Sequence, residues 1–146
     1  MATEIQMRCA NCGHREPVAP MYDFLKAVSR SQLHCGQCGS SRCTLALHQP
    51  FGLGAERQWR AVEAAFAPKR SIRWGRSVET EFVPFLVITR GLRDGERHAW
   101  LPYWHLKRRG REVLALKYGQ WAPSMNLAVF GDLLKQARRA GYLRRV

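Results

Sequence analysis

Two short stretches of the chain share one pattern, Cys9-Ala-Asn-Cys12-Gly13 and Cys35-Gly-Gln-Cys38-Gly39. A Cys-x-x-Cys turn offers two sulfur atoms from one tight loop, and two such turns supply the four soft ligands that a tetrahedral metal ion takes. The glycine after each second cysteine lets the backbone turn beneath the metal, where a side chain would crowd it. Competing chemistries fit less well. A redox pair of thioredoxin type needs one Cys-x-x-Cys at a helix start in a βαβ setting, whereas here there are two in glycine turns. A disulfide framework wants an even count, and Cys43 makes five cysteines. Cys9, Cys12, Cys35 and Cys38 are therefore the candidate ligands, with structural Zn2+ the expected ion and iron the alternative. Four thiolates close the coordination shell and leave no position for a reactive water. Cys43 is expected to be a buried or idle thiol, and His14, His34 and His48 are close enough in sequence to be considered as substitute ligands.

The paired knuckles resemble the zinc ribbon, over about residues 7–48 only. The 22 residues between Cys12 and Cys35 exceed the usual spacing of about 15–20. An inserted helix explains the excess, because "YDFLKAVSR" places Tyr22, Phe24, Leu25 and Val28 at near-helical spacing. His14-Arg15-Glu16 ahead of Cys35-x-x-Cys38 mimics the metal site of zinc deaminases. That match fails where His34 stands in place of proline, and it leaves Cys9 and Cys12 without a task.

Other elements must hold this module in place. "RCTLALHQP" reads as a strand stopped by Pro50, and "FGLG" at 51–54 reads as a hinge. "AERQWRAVEAAFAPKR" reads as a helix, with Trp59, Val62 and Phe66 on one face and Pro68 as its stop. Strands are expected at about 79–91, 96–106 and 111–118, separated by the turn signals "RDGE" and "KRRGR". A final helix from Ser124 to Ala140 carries Leu127, Phe130, Leu133, Leu134 and Ala137 on one face, with Gly141 at its end. The expected fold class is α+β: a zinc ribbon with an inserted helix over residues 1–50, then a basic α-β-β-β-α domain over 51–146 whose three-stranded antiparallel meander is flanked by helices. That predicted topology looks like the small DNA-binding domains of integrase arm-binding and plant AP2 type.

Charge points to the partner. The net charge of +13 is uneven: residues 1–53 hold five basic and three acidic side chains, and residues 54–146 hold 19 and eight. Arginine supplies 19 of the 24 cations, and its planar fork suits phosphate. An excess of this size implies a strong field for polyanions. Arg73, Arg76, Lys107, Arg108, Arg109, Arg111, Lys135, Arg138, Arg139, Arg144 and Arg145 are the candidate phosphate contacts. Aromatic residues interleave with cations in "SIRWGRS", "RHAWLPYWHLKRRGR" and "LKYGQWAPS", as stacking on bases would require, while Trp100, Trp104 and Trp121 equally suit the core of a small sheet. The acidic pairs, Glu79 with Glu81 and Asp94 with Glu96, read as solvated surface. No phosphate loop, nucleophile elbow or HExxH is present.

The sequence thus predicts a binding protein rather than an enzyme, whose partner is DNA or RNA. The alternative is a protein-docking subunit of a larger nucleoprotein assembly, with the ribbon as the protein contact. The longest apolar run, "FVPFLVI", is too short for a membrane span, so no membrane partner is expected. The N-terminus lacks the plan of a signal peptide, which makes a reducing cytoplasm the expected setting.

Overall fold

The computed structural model describes residues 4–18, 21–49, 58–95, 97–119 and 127–143. Ten strands and two helices lie among them, in the order β1 (Glu4–Cys9), β2 (Arg15–Pro17), α1 (Met21–Ser29), β3 (Cys43–Gln49), β4 (Gln58–Phe66), β5 (Ile72–Trp74), β6 (Glu79–Pro84), β7 (Leu86–Gly91), β8 (Arg97–Trp100), β9 (Tyr103–Arg109), β10 (Glu112–Tyr118) and α2 (Leu127–Arg139). They form a six-stranded sheet, β2-β1-β3-β4-β7-β8, and a four-stranded sheet, β10-β9-β6-β5. The chain divides into two compact units, one of residues 1–65 with 87–99 and the other of 66–86 with 100–146. The expected boundary and hinge near residues 50–54 lie outside the described residues.

In the first unit, the knuckle strand β1 pairs antiparallel with β3, setting Ile5 opposite Leu47, Met7 opposite Leu45 and Cys9 opposite Cys43. Cross-strand partners share a face, so these residues make one apolar side of the sheet. Met7 and Leu47 are fully buried there. β3 in turn pairs with β4, which puts Arg60 opposite Leu47 on that same side. Arg60 is buried, and its Nε donates to Thr89 Oγ1 at 3.1 Å, joining β4 to β7. The other side shows its own cross-strand contacts: His48 stacks on Trp59 at 5.1 Å, and the Arg8 guanidinium lies 5.0 Å from the Trp59 ring.

The second unit is the four-stranded antiparallel sheet with α2. Asp132 of α2 accepts from the Lys69 N–H at 3.1 Å, and Gln136 Nε2 donates to the Ala67 carbonyl at 2.9 Å. Leu133 and Ala137 of the same helix are fully buried. The helix ends as its sequence predicts: Gly141 takes a positive φ of 87°, Tyr142 N–H reaches Ala137 O at 3.1 Å, and Gly141 N–H reaches Arg138 O at 3.0 Å.

The α+β arrangement with a three-stranded meander flanked by helices does not form; the protein is mostly antiparallel β-sheet. Two physical causes account for the difference. Residues 58–66 form strand β4 between β3 and β7, where paired backbones on both edges outweigh the modest helix preference of an Ala- and Glu-rich run. The strands expected at 79–91 and 96–106 are each interrupted, at Phe85 and at Leu101-Pro102. Each arm consequently serves both sheets. Pro84 ends β6 and Pro102 lies in the second break, and neither brings an N–H to a ladder, while Phe85 N–H donates to Pro102 O at 2.8 Å. The likeness to the integrase and AP2 domains falls with the meander.

Thr89→Val keeps the shape of a fully buried side chain but removes the acceptor for Arg60 Nε. It should cost about 1–3 kcal/mol, seen in urea titrations as a lower midpoint at unchanged slope.

Candidate metal centre and basic surface

The two knuckles are built alike. In the first, Cys9 N–H donates to His14 O at 2.9 Å and Gly13 N–H to Cys9 O at 3.0 Å; in the second, Cys35 N–H donates to Ser40 O and Gly39 N–H to Cys35 O, both at 2.9 Å. Gly13 and Gly39 close the turns at φ of 75° and 72°, a region that a β-carbon disfavours. The strand pairing of β1 with β2 and β3 holds the first turn, and Ala10 N–H is tied to Arg42 O at 2.8 Å. The inserted helix is present as α1, with Tyr22 and Leu25 buried.

These turns bring the sulfur atoms of Cys9, Cys12, Cys35 and Cys38 within 4.8 Å of one another. Cys9 and Cys38 Sγ are 3.6 Å apart, and Cys12 and Cys35 Sγ 3.7 Å. A tetrahedral ion with metal–sulfur bonds of about 2.3 Å requires sulfur atoms about 3.8 Å apart, so the observed spacing fits a four-thiolate metal site. Among the described residues, His14, His34 and His48 do not belong to this cluster; His14 Nε2 instead meets Glu16 Oε2 at 3.3 Å. The first cysteine of each knuckle is buried and the second is exposed.

Electrostatics favour a cation at the centre. The Cys12 backbone N–H acts most strongly on Cys9 and, with that of Asn11, outweighs burial to hold its thiol at about 6. The Asn11 side-chain amide, 3.6 Å from Cys38 Sγ, and the Ser40 N–H lower Cys38 as well. Cys12 moves the other way, to about 12: the His14 N–H favours its thiolate, but partial desolvation by the surrounding turns and the neighbouring sulfurs of Cys38, Cys35 and Cys9 prevail. Four thiols so close cannot all ionise alone, and a divalent cation removes the conflict. Cys43 faces Cys9 across the ladder and donates to Ser40 O at 3.3 Å; burial and the nearby sulfurs push it up to about 11.

The candidate phosphate contacts are sorted by the second unit's sheet. Register places Arg73, Glu79, Glu81 and Arg108 on one face and Trp74, Thr80, Phe82, His105 and Lys107 on the other. On the first face Arg73 reaches Glu81 at 3.6 Å and Glu79 at 3.9 Å, and Arg108 donates to Glu81. Lys107 and Arg109 are exposed on the second face, and Arg76 and Arg111 are exposed in the turns. Lys135, Arg138 and Arg139 are exposed on α2, where with Leu143 they line an open hollow of about 520 Å³. Arg144 and Arg145 lie outside the described residues, as does Trp121. Two residues that the sequence marks only within basic and aromatic stretches join this surface: Lys117, opposite His105 in β10, and Trp74, half exposed at the end of β5. The period-two alternation of "IRW" and "YWHLK" was the signal that carries both faces.

No helix among the described residues is long and apolar enough to cross a membrane. Compared with known proteins, the chain matches no family model, no curated protein and no solved structure. The cysteine cluster is zinc-ribbon-like by its own geometry.

Cys9→Ser or Cys38→Ser should release one equivalent of bound metal and loosen the knuckles, while Cys43→Ser keeps it; elemental analysis in reducing buffer reads the difference. A pH effect follows from Glu81. Burial alone would raise its carboxyl, but hydrogen bonds from Ser71 and Arg108 and the charges of Arg108 and Arg73 bring it below its ordinary 4.5. A depressed folded value means the stabilisation is present above about 4.5 and is lost as pH falls through the folded value. Melting temperature should therefore drop below about pH 4.5, and Glu81→Gln should flatten that part of the profile.

Proposed function

We propose that the protein binds nucleic acid, with a zinc-loaded ribbon ordering the N-terminal knuckles and the basic second unit holding the phosphate backbone. The observation that carries this reading is charge segregation on the four-stranded sheet. Glu79 and Glu81 share one face with Arg73 and Arg108, whereas the opposite face presents Lys107, Arg109 and Lys117 with Glu112 at its far end beside Arg109. Lys107 and Lys117 have no carboxylate opposite them in the ladders and so are available to an external polyanion. Zinc suits four thiolates in a closed tetrahedral shell, and such a shell has no open position for catalysis. With Glu79 and Glu81 engaged by arginine, the site residues support a binding role over an enzymatic one.

Phosphate-dominated binding has a signature. Affinity for oligonucleotides should fall steeply with salt, and Lys107, Arg109 and Arg111 changed together to Ala should weaken every sequence alike and make the slope shallower. Arg108→Ala should act differently, lowering the melting temperature because Glu81 loses its main partner. Filter binding across a salt series tests this. An absence of salt-dependent binding would remove the reading and leave protein docking within a nucleoprotein assembly as the role of the ribbon.

A further inference from the structure

The face opposite the ion pairs has a composition of its own. Register aligns Trp74, Thr80, Lys107 and Ala115 in one row across the four strands, and Ile72, Phe82, His105 and Lys117 in the next. Four rings gather there. Phe82 and Tyr103 are buried and lie 5.4 Å apart, and both contact His105, at 5.6 Å and 5.5 Å. His105 then meets Trp74 edge-on, at 5.9 Å and 82°. The two buried rings fix the imidazole, and the imidazole braces an indole that remains 50% exposed. An exposed, braced tryptophan on a face that also carries two lysines is poorly explained as core packing, because half of its surface buries nothing.

We infer that this face binds single-stranded nucleic acid, with a base stacked on Trp74 and the adjoining phosphates held by Lys107 and Lys117. The inference rests on the nucleic-acid reading above and specifies its partner. A stacking platform needs the free face of an unpaired base, which a duplex hides inside its own stack. Lys107 stands two strands from Trp74, about 10 Å away at the usual strand spacing, within the reach of a neighbouring nucleotide. The face reads no base edge, so it accepts many sequences.

The test is fluorescence anisotropy of the full chain with a labelled oligothymidylate of about 20 nucleotides and with a duplex of the same length. The single strand should bind at least about tenfold more tightly. Trp74→Ala should weaken single-strand binding about tenfold with duplex binding and the salt slope unchanged, and Trp74→Phe should recover most of the loss. Lys107→Ala and Lys117→Ala should each make the single-strand slope shallower by about 0.7. Full single-strand affinity in Trp74→Ala, or a preference for duplex, would overturn the inference while salt-dependent binding leaves the phosphate reading intact. Binding to neither probe overturns both. If Trp74→Ala lowers the melting temperature, Lys117→Glu decides in its place: unchanged affinity in that variant overturns the inference.

Discussion

Four sulfur atoms within 4.8 Å of one another are a constraint before they are a site. Their negative charges cannot coexist without a cation, and their positions cannot be reached unless two distant turns close with the same geometry. The ladder between β1 and β3 meets that demand, since it sets Cys9 beside Cys43 and brings the strand following the second knuckle against the strand preceding the first. β3 then carries β4, β4 carries β7 and β7 carries β8, so the six-stranded sheet grows outward from the knuckles. Arg60, buried among apolar neighbours and bonded to Thr89, shows how far that sheet will go to keep a polar group satisfied.

The second sheet solves a different problem, the placement of many like charges on a small body. Strand alternation sends Arg73 and Arg108 to the side of the carboxylates and Lys107, Arg109 and Lys117 to the side of the rings. In the first group Arg108, largely buried, pairs with Glu81, and Arg73, half exposed, reaches Glu79 and Glu81. The second group stays exposed, on the side that also carries the indole of Trp74 and the imidazole of His105.

How much of this could be read from the residues depended on how local the determinant was. The knuckles, α1 and the helix end at Gly141 are short-range arrangements, and their spacing announces them. The β-strands of 103–118 follow from alternation and a glycine turn at Gly110. β4 was not legible, because its helical spacing of Trp59, Val62 and Phe66 is a local preference overruled by two neighbouring strands distant in sequence. The breaks at Phe85 and Pro102 depend likewise on two arms meeting each other. Counting Arg108 with Lys107 and Arg109 among the phosphate contacts overlooked the parity that turns Arg108 toward Glu81 and away from Lys107.

X-ray absorption at the zinc edge of the purified full chain measures the central constraint directly. Four sulfur scatterers at about 2.3 Å, with no nitrogen or oxygen in the first shell, are the expected result. A shell containing nitrogen or oxygen, or a reduced protein that binds no metal, would contradict it.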